Sequence, residues 1–341
     1  MHRCLQLAKQ AAGFVAPNPM VGAVLVYNDV VIGEGYHQQF GQAHAEVSCI
    51  NSVMEHQKNL IEKSTLYVSL EPCAHFGKTP PCVNLIIEKK IPTVIIGCRD
   101  NYEAVNGKGI AALQAAGIEV IVGILEQDAI ALNKRFFTFH KYRKPYIILK
   151  WAQTNNGKMG NADFSRLLIS NENTNRLVHQ WRSREAAIMV GTTTALQDDP
   201  SLTTRLFSGK NPLRIVIDKT LKLPASLQLL ADAEPTLIFN EIKNETIGNK
   251  YFYCIDFKKP ALPQILKQLY ELNIQSVLVE GGAKLLQSFI DEKLWDEARV
   301  ITNATLAITD GIAAPVLKNE SLAKSITNQS DQINYYNPLQ Q

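Results

Sequence analysis

The segment LEPCAHFGKTPPC (70–82) decides the reading of this chain. It joins an apolar, strand-like run, STLYVSL (64–70), to a helix-like one, CVNLIIEKK (82–90). Working outward, PTVIIGC (92–98) is a second buried strand, IAALQAAG (110–117) a helix closed by Gly117, and IEVIVGIL (118–125) a third strand. Upstream, residues 44–55 read as a helix, and VGAVLVYNDVVIGEG (21–35) as two strands joined at Asn28-Asp29, a good hairpin turn. Residues 3–12 form a further helix. Strands at this spacing with helices between them predict an α/β layer with parallel pairs.

A helix is expected from about Gln127 to Phe139, followed by a basic, turn-like stretch, HKYRKP (140–145), where the domain boundary is placed. The pattern then restarts as α/β. Strand candidates are YIILKWA (146–152), AAIMVG (186–191), PLRIVID (212–218), PTLIFN (235–240), SVLVEGG (276–282) and ARVITN (298–303). Helix candidates at 171–184, 264–273 and 283–291 lie among them, and INYY (333–336) is a possible last strand in a polar tail. A length of 341 residues suits two domains. With 46% hydrophobic and 20% charged residues the composition is globular. A net charge of +3 gives no support for a large nucleic-acid footprint, and no partner of that kind is expected. No apolar run reaches the ~18 residues of a membrane span, and the start reads as an amphipathic helix. A cytoplasmic enzyme or binding protein is therefore expected, with no membrane partner. Six cysteines (Cys4, Cys49, Cys73, Cys82, Cys98, Cys254) make no disulfide scaffold.

The chemistry concentrates at His44, Glu46, Cys73 and Cys82. One imidazole and two thiolates suit Zn²⁺, which prefers nitrogen and sulfur in tetrahedral geometry. Three protein ligands leave a fourth position for water, whose pKa zinc lowers towards 7. Glu46, two residues beyond His44, can carry protons between that water and a leaving nitrogen without being a ligand. His-x-Glu with Pro-Cys and a second Cys is the zinc-deaminase pattern, in which two residues separate the cysteines. Here eight do, AHFGKTPP. A structural zinc would call for a fourth ligand, which His75 could formally supply. The insert also tethers Lys78 and Thr79 near the metal, either towards a phosphate or pyrimidine or towards solvent.

HAE (44–46), LEPCAHFGKTPPC (70–82), NGKG (106–109) and APNPMVGAVLV (16–26) together resemble the deaminase domain of the bifunctional riboflavin-biosynthesis deaminase/reductases. The match covers nearly the whole first domain in order, and the long cysteine spacing sets that family apart from cytidine and tRNA adenosine deaminases. The resemblance implies a cytidine-deaminase-like α/β/α domain over 1–144. In it His44, Cys73 and Cys82 would bind one catalytic zinc and Glu46 would be the acid/base. Asn18, His37, His75, Lys78, Asp100 and Asn101 would line the substrate site.

Read without the resemblance, the second domain is quieter. Glu280-Gly281-Gly282 closes a strand and opens a helix, a turn that lets backbone N–H groups approach a phosphate, or simply a tight connection. GTTTALQDDPSLTTR (191–205) is a dense polar cluster, and Arg182 and Arg205 are candidate phosphate forks or surface charges. The reductase domain of the same family, dihydrofolate-reductase-like in fold, carries motifs similar to 187–205, 212–218 and 279–285 in this order. That implies a reductase over 145–341. Gln153, Leu168, Thr194, Asp198 and the turn of Gly281, Gly282, Ala283, Lys284, Leu285 and Leu286 would contact NADPH. Arg166, Arg182, Leu202, Arg205 and Glu280 would contact the substrate.

Two positions depart from the family. Its aspartate before a glycine is Asn156 here, and a tryptophan is replaced by Leu168, removing a stacking or nicotinamide-side group. The implied activity is zinc-dependent deamination of a phosphoribosylaminopyrimidine followed by NADPH-dependent reduction of its ribosyl chain to ribityl. A homo-oligomer, dimer or tetramer, is implied as well. The competing readings are an active deaminase with a weakened reductase, a nucleoside or tRNA deaminase with an unrelated second domain, and a non-catalytic zinc-binding interaction protein.

Overall fold

The computed structural model describes residues 1–76, 80–102, 105–163 and 165–339. The chain divides into two compact units, Met1–Arg143 and Lys144–Gln341. In the first, a hairpin of β1 (Gly22–Tyr27) and β2 (Val30–Tyr36) turns at Asn28 and Asp29, both at positive φ, as a two-residue hairpin requires. The sheet continues through β3 (Thr65–Leu70), β4 (Thr93–Cys98) and β5 (Glu119–Val122) in the order β2-β1-β3-β4-β5. β1 is antiparallel to both neighbours, while β3, β4 and β5 run parallel.

Helix α1 (His2–Lys9) packs Cys4 and Leu7 against Val24 on one side of this sheet. Helices α2 (Ala45–Asn51), α3 (Cys82–Glu88) and α4 (Lys108–Ala115) bury Cys49, Ile50, Val83, Ile86 and Leu113 against Leu25, Leu66, Val68, Val94 and Ile96. A 3₁₀ helix, Glu55–Lys63, links α2 to β3. The close seat of α2 depends on β2: a Cβ on Gly35 would lie 2.4 Å from the Cys49 nitrogen.

The helix expected at 127–139 is two helices, α5 (Glu126–Leu132) and α6 (Lys134–Tyr142). The break falls at Asn133, whose carboxamide accepts from the Met20 N–H at 2.8 Å and donates to the Met20 carbonyl at 2.9 Å. The stretch 140–142, expected as a turn, continues α6 instead.

The second unit is built on β6 (Tyr146–Thr154), with a short β7 (Lys158–Asn161) beyond its turn, then α7 (Glu172–Arg184), β8 (Ala187–Gly191), α8 (Thr192–Asp198), β9 (Leu213–Ile217), α9 (Gln228–Ala231) and β10 (Thr236–Asn240). There follow β11 (Glu245–Ile247), β12 (Lys250–Cys254), α10 (Ala261–Glu271), β13 (Ser276–Gly281), α11 (Ala283–Asp291), β14 (Glu297–Asn303), β15 (Gly311–Ala313), β16 (Glu320–Asn328) and β17 (Asp331–Pro338). Ten strands form one sheet in the order β11-β12-β10-β9-β8-β13-β6-β14-β17-β16, and β15 pairs with β7 apart from it. The central strands, from β12 to β14, are all parallel.

Successive residues of those strands enter opposite cores. Ile147, Leu149, Val277 and Val279 pack with α10 and α11, while Ile148, Leu278, Ile188 and Val190 pack with Val178 and Trp181 of α7. Burial on both faces is why these strands read as continuous apolar runs. The strands not anticipated, β11, β16 and the small β7–β15 pair, lie at or off the sheet edges, where little burial marks the sequence. β12 sits one place in from that edge and was also unanticipated. Residues 192–198, part of the dense polar cluster, form α8, with only Ala195 fully buried.

Candidate functional site

In the first unit three element starts or ends converge. His44 is the N-cap of α2, Cys73 follows β3, and Cys82 opens α3 behind Pro81. The ligand atoms of His44, Cys73 and Cys82 all lie within 4.8 Å of one another. His44 Nδ1 stands 3.5 Å from Cys73 Sγ and 3.3 Å from Cys82 Sγ, and the Cys82 N–H donates to Cys73 Sγ at 3.3 Å. One imidazole nitrogen facing two sulfurs is a donor set that fits Zn²⁺. The Cys73 thiol is drawn well below its usual range by its hydrogen bond with Cys82 and by His44, while its neighbour Cys82 is pushed up. His44 is raised, chiefly by its hydrogen bond with Cys73.

Glu46, in the first turn of α2, is 3% exposed. Burial, and then the Cys73 charge, push it up to about 7, in the range where a carboxyl can both take and give a proton at neutral pH. Beside it the His37 and His44 rings meet edge to face at 5.4 Å. His37 Nδ1 lies 3.0 Å from the Ala43 carbonyl, which can only accept, so Nδ1 carries the hydrogen. Nε2 is then free to accept from the Asn18 amide at 3.1 Å. Burial lowers His37 and keeps this tautomer neutral.

Asp100 is buried and pushed up to about 7 by burial, with Glu71 and Cys73 adding to the effect; it accepts the Tyr102 N–H at 2.8 Å. His75 and Asn101 are exposed, and His75 meets the Tyr102 ring at 6.2 Å. Lys78 lies outside the described residues. The reading of the sequence passed over Glu71, a buried carboxylate that accepts four backbone N–H groups; its only trace was its place before Pro72-Cys73.

In the second unit the carboxyl ends of β8, β13 and β6 stand side by side, the position where parallel sheets bind ligands. Glu280, near the end of β13, accepts from Arg182 Nε and Nη2, both at 2.8 Å, and Lys150 Nζ lies 3.6 Å away. Arg182 also donates to the Thr203 carbonyl at 3.2 Å. Burial alone would raise Glu280, but the Arg182 and Lys150 charges bring it down to about 2. Burial lowers Lys150. This lysine, inside the apolar run of β6, was a legible signal that the sequence reading did not use.

His179, one turn before Arg182 on α7, is 5% exposed and its Nδ1 has no hydrogen-bond partner among the described residues. Burial and then the charges of Arg182 and Arg205 push it down to about 4.

Gly281 takes φ +126, and Gly282 caps α11, so that Ala283, Lys284 and Leu285 form the first turn, where helix N–H groups lack internal partners. The Thr194 hydroxyl lies against this turn, 3.0 Å from where a Cβ on Gly282 would sit. Leu286 is turned into the core, and its N–H bonds the Gly282 carbonyl. Gln153 accepts from Trp151 Nε1 at 2.8 Å and donates to Thr302 at 3.3 Å. Asp198 is raised by burial, with the Arg166 charge opposing.

Leu202 is buried in the core at φ +54, and Arg205, exposed, bonds Ser201. Leu168 is 71% exposed. Asn156 accepts from Thr154 Oγ1 at 2.7 Å and donates its amide to the Ile308 carbonyl at 2.8 Å, a bond an aspartate could not make.

Residues 1–98 match the model of the cytidine and deoxycytidylate deaminase zinc-binding region, and residues 145–307 that of the RibD C-terminal domain. The chain is 38% identical over 331 residues to riboflavin biosynthesis protein RibD of Aquifex aeolicus, covering 96% of this chain and 92% of that one. It is 38% identical over 322 residues to the protein of that name from Bacillus amyloliquefaciens, covering 90% and 85%. A Thermotoga maritima diaminohydroxyphosphoribosylaminopyrimidine deaminase/5-amino-6-(5-phosphoribosylamino)uracil reductase superposes with a TM-score of 0.91 at 34% identity, over 99% of this chain and 97% of that one. RibD of Acinetobacter baumannii gives 0.90 at 30% identity, over 99% and 98%.

Proposed function

The chain belongs to the RibD family of bifunctional riboflavin-biosynthesis enzymes, and from that premise we propose how its residues divide the work. It is a deaminase that uses zinc and a reductase that uses NADPH. The deaminase is assigned to residues 1–144 and the reductase to 145–341. The proposed substrate is the diaminohydroxyphosphoribosylaminopyrimidine that the Thermotoga maritima protein is named for. Deamination replaces a ring amine by oxygen from water, and ammonia leaves. Reduction then converts the ribosyl group to ribityl.

His44, Cys73 and Cys82 would hold the zinc, and the observation that carries this is the convergence of their ligand atoms within 4.8 Å beside a buried carboxyl. When bound, zinc supplies an activated water at neutral pH. Glu46 takes a proton from the attacking water and delivers it to the departing amine. His37 presents a neutral imidazole, and Asn18, bonded to it, orients one edge of the pyrimidine pocket. Asp100, Asn101, His75 and Lys78 complete the substrate side.

NADPH, when bound, supplies hydride. Gln153, Leu168, Thr194, Asp198 and the turn of Gly281 to Leu286 would cradle it, with the first turn of α11 towards its phosphates. Arg182, Arg205, Arg166, Leu202 and Glu280 would hold the phosphoribosyl end. Glu280, fixed on Arg182 and Lys150, keeps a rigid negative charge at the reacting sugar. Placement rather than strong acid/base chemistry is what such a step asks of the protein. We propose further that the chain acts as a homo-oligomer in the cytoplasm; among the described residues no helix is long and apolar enough to cross a membrane.

Mass spectrometry of the pyrimidine, run with zinc-loaded enzyme with and without NADPH, tests the whole reading. Loss of the amine without NADPH and gain of two hydrogens only with it are expected. Amine loss with no reduction would favour a weakened reductase, the reading that exposed Leu168 invites. An amine left in place would defeat the zinc assignment.

A further inference from the structure

Two pieces of sequence have had no part in the chemistry so far: Glu71, in front of Pro72-Cys73, and the glycines of NGKG (106–109). They meet in the fold. Glu71 is 4% exposed, and each of its carboxylate oxygens accepts two backbone N–H groups. Oε2 takes those of Asp100 at 3.2 Å and Gly107 at 3.0 Å, and Oε1 takes those of Gly109 at 3.0 Å and Ile110 at 3.3 Å. Its own N–H donates to the Cys98 carbonyl at 3.0 Å. The start of α4 presses equally close: a Cβ on Gly109 would lie 2.1 Å from the Pro72 carbonyl oxygen, so no side chain fits there. One buried side chain therefore joins the segment that leads directly into Cys73 to both ends of the connection carrying Asp100 and Asn101.

We propose that Glu71 is a positioning residue for deamination, fixing the Asp100 loop against the Cys73 segment and so setting where the pyrimidine stands relative to the metal ligands. This rests on the deaminase reading given above. The residue type follows from the donor count. A carboxylate offers lone pairs for four donors, whereas a glutamine in its place offers one accepting oxygen and turns its own N–H₂ towards two of the N–H groups. The contacts are to backbone, so Glu71 acts through the loop and touches no reacting atom.

The experiment is Glu71→Gln in the full-length, zinc-loaded chain, alone and combined with Asp100→Asn. A misplaced loop should lower deaminase kcat/KM by between about 10- and 100-fold, mainly through KM. Zinc per chain and the reductase rate of the same molecules should stay at wild-type values, which a general folding defect would not allow. The double variant should lose little beyond Asp100→Asn, since both changes remove the same placement.

A Glu71→Gln deaminase within about twofold of wild type, losses that multiply in the double variant, or zinc lost in step with activity would each overturn the proposal. Amide hydrogen exchange on the wild-type chain tests it without a variant. The Asp100, Gly107, Gly109 and Ile110 amides should exchange as slowly as core β4 amides, and exchange at loop rates would overturn it. A wild-type enzyme that leaves the amine in place would defeat the deaminase reading instead, and the exchange measurement would still decide whether Glu71 fixes the loop.

Discussion

Glu280 accepts both hydrogen bonds of the Arg182 fork and faces Lys150 at 3.6 Å, with its own side chain 8% exposed. Removing one partner of such a pair leaves the others charged and buried, which costs about 3–5 kcal/mol. Glu280→Gln should therefore lower the unfolding temperature of the second unit by roughly 10 °C near neutral pH. The pH dependence has a definite sign. Held at about 2, below the usual carboxylate value of about 4.3, Glu280 contributes stability that is present above the latter and fades as pH falls through the former. The gap between wild type and Glu280→Gln, measured by denaturant unfolding, should narrow by on the order of 3 kcal/mol from pH 5 towards pH 2. A gap constant across that window would mean that another group holds Arg182. Glu46 gives the matching expectation for chemistry. Glu46→Gln keeps the shape of the first turn of α2 but can no longer carry a proton, so deamination should fall by about 10²–10⁴-fold with zinc and reductase activity retained.

At the scale of elements, the break between α5 and α6 matters most for the first site. Asn133 bonds both backbone groups of Met20, two residues beyond Asn18, and thereby ties the helix pair to the segment that presents Asn18 to His37. Asn133→Ala leaves both Met20 groups without that partner, at about 1–3 kcal/mol, and should raise the deaminase KM severalfold while reductase kinetics stay unchanged. The same residue shows where sequence reading stops. Residues 127–139 carry a continuous helical pattern, and the reason it breaks lies 113 positions away in the chain. Central strands such as β8 and β13 were legible because burial on both faces leaves an apolar run, whereas the edge strand β16, largely exposed, leaves none. His44, Cys73 and Cys82 were legible as a candidate metal set because that chemistry resides in residue type. Glu71 was not, because its partners are backbone N–H groups, which any residue supplies. Asn156, which departs from the family's aspartate, makes a staple between Thr154 and Ile308 that only its amide permits.

For the whole molecule, the question is whether two chemistries on one chain fail together or apart. Each unit has its own core: Ala45, Cys49, Val68 and Val83 belong to that of the first, and the second holds the two cores on either face of its long sheet. His44, Cys73 and Cys82 lie at the N-cap of α2, after β3 and at the start of α3, all in the first unit, so an ion held there would tie together three elements of that unit and none of the second. A ligand that binds only the folded state stabilises it by RT ln(1 + [L]/Kd), about 4 kcal/mol at a thousandfold excess over Kd. Withdrawing zinc with a chelator should therefore lower one calorimetric transition and leave the other in place. In the same sample deamination should cease, while pyrimidine already deaminated should still be reduced at the wild-type rate, followed by NADPH consumption. Restoring zinc should bring back both the transition and the amine release. Parallel loss of the two activities would mean that the first unit's metal also supports the reductase, and independent cores would then be the wrong description of how this chain keeps two sites.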